Sequence, residues 1–308
     1  MLTQLYDANY SLVAPACLDG EQDSIFFSED AVLSTPKRTE FAMITLCDAD
    51  GIMVGGFPAS VQKIVKRLVQ SEWSSGLRAA TQETDEVVTF RLGGEPWHEQ
   101  ATNKATSNEM RVFLLTLLEE LSTEGWHLVC TVDMSKESND KSAFLFCTGD
   151  PAPRTKYVGM QPVGHDQLWL VKMAEEDRRV MDKVIVRTLG KHAIETHEVL
   201  DGTTDIYKLK GSPWSPSHIS DGLLARHVFS VVVAALKAHG WVVACSADLQ
   251  DDTRIVATEL STAVAEEETN ENDNPAGETK RQKKLTRVAK TVESADVHFL
   301  MFRKDDYQ

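Results

Sequence analysis

The phrase FRLGGEPW at residues 90–97 returns almost unchanged as YKLKGSPW at 207–214. Phe90, Leu92, Gly94, Pro96 and Trp97 meet Tyr207, Leu209, Gly211, Pro213 and Trp214. The likeness runs on downstream at a constant spacing. MRVFLLTLLEELSTEGWHLVCTVD (110–133) meets ARHVFSVVVAALKAHGWVVACSAD (225–248). Arg111 pairs with Arg226, Gly125-Trp126 with Gly240-Trp241, Cys130 with Cys245, and Asp133 with Asp248. Self-similarity at so long a period marks a duplicated domain rather than a solenoid of short units. Whatever one copy folds into, the other must also fold into.

The shared blocks also share a physical pattern. Met110, Phe113, Leu114, Leu117, Leu118 and Leu121 lie on one face of a helix. Their partners Ala225, Val228, Phe229, Val232, Val233 and Leu236 are apolar too. The second helix is apolar nearly all round and rich in β-branched residues, which are weak helix formers, so burial must hold it. Glycine after each helix can take the positive φ that closes a helix C-terminus. The tryptophan that follows opens a strand, WHLVCTVD or WVVACSAD, and a last strand, SAFLFCT (142–148) or VHFLMFR (297–303), completes each unit.

Upstream, FAMITLCD (41–48) and PASVQKIVKRLVQSEW (58–73) read as strand and helix in the first copy. QLWLVKM (167–173) and EEDRRVMDKVIVRTLG (175–190) read likewise in the second. A strand or hairpin follows in each, with Asp201-Gly202 as a turn between alternating strands. Each unit thus reads β-α-β-β-α-β-β. The expected fold is α+β, with two tandem copies whose helices pack on mixed or antiparallel sheets and which face each other across a pseudo-two-fold axis. The boundaries are a leader at 1–39, a first repeat at 40–150, a Gly/Pro-rich linker at 151–166 and a second repeat at 167–308. The repeated phrase is then a strand exit: Gly-x-Pro stops the ladder and the Trp buries a large ring.

The copies differ where the second inserts a charged stretch at about 250–295. Its acidic part, 266–278, has no apolar periodicity and reads as disordered. A basic cluster follows, in which Lys280, Arg281, Lys283 and Lys284 resemble a nuclear-import patch; the alternative is a solvated loop.

The net charge of −15 opposes nucleic acid and anionic membranes as partners. No apolar run approaches the roughly 20 residues of a membrane span, and no secretory signal is visible. The five cysteines form no CxxC pair, which argues against a zinc site or a disulfide framework and for a reducing compartment. The expected location is cytoplasmic, with nuclear entry open.

Dinucleotide, P-loop, nucleophile-elbow and zincin motifs are all missing, so no cofactor or metal is expected. His192 and His197, five apart on a strand, point to opposite faces and make a poor metal pair. The better leads are polar residues that the duplication retains. Arg111 and Arg226 either pack and pair locally or grip a carboxylate or phosphate with the guanidinium fork. Asp133 and Asp248 suit strand-end turns. Trp97 and Trp214 are loop plugs or recognition anchors. With no catalytic motif, these residues point to a non-enzymatic protein-binding or scaffold protein. The alternative is a small-ligand binder or enzyme whose site lies between the repeats, with an anion on Arg111 or Arg226.

Overall fold

The structure is a computed structural model that describes residues 2–8, 10–17, 23–29, 39–97, 103–132, 141–214, 219–249 and 299–304, all within one compact unit. The leader supplies α1 (Leu2–Asp7) and an antiparallel hairpin of β1 (Tyr10–Cys17) and β2 (Asp23–Glu29). The first repeat runs β3 (Phe41–Cys47), β4 (Gly51–Gly55), α2 (Ala59–Glu72), β5 (Leu77–Thr84), β6 (Val87–Leu92), α3 (Lys104–Thr123), β7 (Trp126–Val132) and β8 (Ala143–Thr148). The second repeats that order as β9 (Lys156–Val163), β10 (Gln167–Val171), α4 (Glu175–Leu189), β11 (Ile194–Leu200), β12 (Thr204–Leu209), α5 (Ile219–Ala238), β13 (Val242–Ala247) and β14 (Phe299–Lys304).

Each repeat forms a six-stranded antiparallel sheet, ordered β5-β6-β4-β3-β8-β7 in the first and β11-β12-β10-β9-β14-β13 in the second. The two orders are the same, so the chain is a duplicated α+β fold. Each unit carries one more strand than the sequence pattern alone gives, because it opens on a tight hairpin, β3–β4 or β9–β10. The second repeat also begins earlier than expected. β9 lies inside the stretch read as a linker at 151–166 and pairs with both β10 and β14. Gly159 and Pro162 disguise it, and Tyr157 to Pro162 are buried on both faces, so the alternation that betrays a half-exposed strand is lost.

Local chemistry explains the helices. Asn103 caps α3, its side chain accepting from Thr106 N at 3.0 Å. Asp and Glu residues fill the first turn of α4, where the helix dipole favours them. Gly125 and Gly240 take φ of 80° and 83°, reversing the chain after α3 and α5 as their position requires.

The layers stack in one direction. Sheet one turns Ala42, Ile44, Leu46, Ile52 and Val54 onto α2 and α3. Sheet two turns Val158, Met160, Leu168 and Leu170 onto α4 and α5. Its opposite face, with Tyr157, Trp169, Val171, Ile206 and Phe299, joins the core of the first repeat. α3 therefore lies between two sheets. The outer face of sheet one, with Cys130, Val132, Ala143 and Leu145, is covered by leader residues Leu2, Leu12 and Ile25. A two-fold relation would require α5 to cover sheet one as α3 covers sheet two. It does not; the packing is head to tail. Equivalent residues do meet where β7 approaches β13, with Thr131 donating to the carbonyl of Ser246 at 2.6 Å.

Candidate functional site

Hydrogen bonding accounts for the repeated phrase. Trp97 is fully buried; its indole N–H donates to the carbonyl of Gly51 at 2.9 Å and its backbone N–H to that of Ala49 at 3.1 Å. Trp214 makes the same two bonds, to Gln167 at 2.8 Å and to His165 at 3.2 Å. Each Trp closes its loop onto the opening hairpin of its own repeat. These bonds also fix the structural alignment: Gly51 matches Gln167, Thr45 matches Gln161, and Met53 matches Trp169. Trp214 is only partly buried, so the two plugs are unequally sealed.

Arg111 lies at the centre of the contact between the repeats. Its side chain is 1% exposed. Nε donates to Gln161 Oε1 at 2.6 Å, Nη1 donates to the carbonyl of Ser107 at 2.6 Å, and the guanidinium lies 5.0 Å from the ring centroid of Trp169. Burial lowers its pKa to about 10, which leaves it charged at neutral pH. A cation so placed is compensated by two acceptors and a π face. Around it, Asn108 donates to Asp201 at 3.0 Å, and Glu119 accepts from the backbone of Tyr157 at 3.0 Å and pairs with Lys172 at 2.5 Å. Thus α3 turns Asn108, Arg111, Leu115, Glu119 and Ser122 toward the second sheet, spaced as one helical stripe.

The same stripe on α5 is Leu223, Arg226, Ser230, Ala234 and Lys237. All five are exposed, Leu223 at 59%. Arg111 and Arg226 thus hold matching positions in opposite surroundings, one packed between sheets and one in solvent. The fold does not bring them together.

Asp248 follows β13. Its backbone N–H donates to Ser142 Oγ at 2.9 Å and its carbonyl accepts from Ser142 N at 3.2 Å, a strand-end tie between the repeats. Asp133 and the basic patch Lys280, Arg281, Lys283 and Lys284 lie outside the described residues, as does the acidic run at 266–278.

One constellation escapes a reading by spacing. His197 Nε2 lies 2.8 Å from Asp205 Oδ1, and its ring stacks on Tyr207 at 4.2 Å and 5°. The Tyr207 hydroxyl donates to Asp182 at 3.2 Å, and Arg178 Nε lies 2.9 Å from Asp205 Oδ2. Burial, with Asp205 and Asp182 adding to it, raises the pKa of Tyr207. The groups clasp α4 to the β11–β12 hairpin. The first repeat has Ala80, Val88 and Phe90 where the second has His197, Asp205 and Tyr207, so the fold itself does not need the cluster. Its partners come from a helix and two strands, and only the His197–Asp205 spacing across the Asp201-Gly202 turn could have flagged it.

Among the described residues, no group of three or more His, Cys, Asp or Glu is placed to hold a metal ion, and no helix is long and apolar enough to cross a membrane. Searches among curated proteins and among solved structures each found no match. A model of an uncharacterised domain family matches twice, at residues 40–147 and at 156–264. The second match opens where β9 begins. Together the two matches cover well over half of the chain, which belongs to this family and carries its domain in tandem.

Proposed function

We propose that the chain is a non-enzymatic protein-binding scaffold whose binding surface is the outer face of α5. The observation that carries this reading is the contrast between matching stripes. Asn108, Arg111, Leu115, Glu119 and Ser122 engage a sheet, whereas Leu223, Arg226, Ser230, Ala234 and Lys237 face solvent. The first stripe displays the recognition chemistry: an arginine laid over an aromatic ring, with an amide oxygen to accept from it. Arginines of this kind anchor protein interfaces. An anionic small ligand, the alternative expected from the sequence, would have to use Arg226, because Arg111 is fully engaged with Gln161, Ser107 and Trp169. The companion proposal for location is the cytoplasm, with nuclear entry through Lys280, Arg281, Lys283 and Lys284.

A photo-reactive residue at Lys237, compared with one at Lys63 on the exposed side of α2, tests the reading in cells. Discrete protein adducts from position 237, reduced by Arg226→Glu and not seen from position 63, are expected. Identical patterns from the two positions would sink it.

A further inference from the structure

We infer that the occupant of the α5 face is a second copy of this chain, which presents the outer face of its first sheet. The inference rests on the scaffold reading and deepens it. Inside one chain, the stripe of α3 docks on the face of sheet two that carries Gln161 and Trp169, beside the hairpin bearing Asp201. Repeating that step between chains brings the α5 stripe to the face of sheet one, which carries Thr45 and Met53, beside the hairpin bearing Asp85. In the single chain the α5 half is exposed, and the acceptor half is open on its β4 side and at the β5–β6 turn. Met53 is 38% exposed, and Glu83, Asp85 and Glu86 at the β5–β6 turn are exposed.

Charge selects the same pairing. The exposed charges of the α5 stripe are Arg226 and Lys237, both basic, in a chain of net charge −15. Two α5 helices laid face to face would oppose like charges, which costs specificity and affinity. The acidic β5–β6 hairpin, set where Asp201 meets Asn108 in the internal contact, instead comes opposite Leu223, one helical turn from Arg226, and turns carboxylates toward the basic stripe.

The contact is heterologous, joining different surfaces of the two copies, so it extends into a row rather than closing as a dimer. The leader is its competitor. Tyr6 stacks edge-on to Phe41 at 4.9 Å, and Leu2, Leu12 and Ile25 pack with Phe41 and Met43, covering the β3 side of the acceptor sheet. End caps of this kind keep repeat stacks soluble. The leader thus sets how far rows grow.

The test uses the purified full chain with Ser230→p-benzoylphenylalanine. Irradiation should join position 230 to a peptide of residues 77–92, or to the peptide holding Met53, of another copy. The yield should rise with protein concentration and with Ile25→Asp, which loosens the leader. Arg226→Glu should lower the yield by about ten-fold, as expected for reversing a charge inside a contact. Mixing Arg226→Glu chains, which carry the photo-reactive residue, with Asp85→Lys/Glu86→Lys chains should restore it. Far-UV dichroism confirms that each variant is folded. An absence of intermolecular adducts from folded protein, or adducts mapping elsewhere, overturns the inference. If position 237 captures a different protein in cells while the purified chain gives no self-adduct, the scaffold reading stands and the self-association falls. If neither experiment gives an adduct, both fall.

Discussion

Arg111 of the first repeat lies over the indole of Trp169 in the second, with its guanidinium carbon 5.0 Å from the ring centroid and Nε bonded to Gln161 at 2.6 Å. One side chain therefore carries a charge, a π contact and a hydrogen bond across the junction, with a second bond back to the carbonyl of Ser107 in its own helix. Its counterpart Arg226 is exposed. The duplication supplies a controlled comparison. Arg111→Ala removes the donor to Gln161 Oε1 and opens a void at Trp169, so a loss of about 3 kcal/mol is expected. Arg226→Ala should change stability by about 0.5 kcal/mol or less, as at most surface sites. Urea unfolding of both variants checks this. Equal effects would show that the junction does not depend on Arg111.

Trp126 and Trp241 follow the helix-closing glycines and are each 4% exposed. Trp126 packs on Phe57 at 4.7 Å, and Trp241 lies beneath Lys304 at 5.4 Å. Replacing either with Ala removes a buried ring that the neighbours cannot replace, for an expected cost of about 3–5 kcal/mol. An unchanged urea midpoint in both variants would contradict the burial.

The helix-to-strand passage through Gly-Trp was legible because two signals coincide, apolar periodicity and a glycine that only a chain reversal requires. β9 was not legible. Gly159 and Pro162 look like breaks when the partner strands cannot be seen, yet Pro162 pairs with Leu168 inside the sheet. The retained arginines were legible as a pair but not as opposites. What buries Arg111 is a sheet contributed by the other repeat, and no local pattern encodes that the second helix has no such neighbour. Spacing weighs His197 only against His192, which lies in a 3-10 turn (Lys191–Ala193) ahead of β11 and not on the strand expected for both, and the partners of His197, Asp205 and Tyr207, come from the neighbouring strand.

The clasp on α4 makes stability depend on alkaline pH. Burial, reinforced by Asp205 and Asp182, raises the pKa of Tyr207 in the folded protein. The unfolded chain ionises this phenol near its ordinary value of about 10. The stabilisation is therefore complete below about pH 10 and is lost as pH rises toward the folded value, by up to about 1.4 kcal/mol per pH unit. Tyr207→Phe should remove this alkaline slope. It should cost little at neutral pH, because Phe90 fills the matching place in the first repeat. Thermal midpoints at pH 8 to 11 for both proteins decide; parallel curves would mean that Tyr207 does not carry the slope.

The two sheets solve one packing problem in opposite ways. In the second, Phe299 lies across Gly159, and a Cβ added at Gly159 would run into the Phe299 ring. The register matches Phe299 to Ala143 and Gly159 to Met43 of the first repeat. Large and small have changed places: Phe over Gly in one sheet, Ala beside Met in the other. The ring of Phe299 is fully buried against the first repeat, so it has nowhere to retreat. Gly159→Met should therefore destabilise by about 3 kcal/mol, at the upper end of overpacking costs. Phe299→Ala should cost about 3–5 kcal/mol through the cavity it leaves. The double variant Gly159→Met/Phe299→Ala recreates the first repeat's solution, with the Met filling the volume that the ring vacates. Its cost should fall below the sum of the single effects by about 2 kcal/mol, a coupling expected of residues in direct contact. Chemical unfolding of the four proteins closes the cycle, and strict additivity would show that the two positions do not share one space.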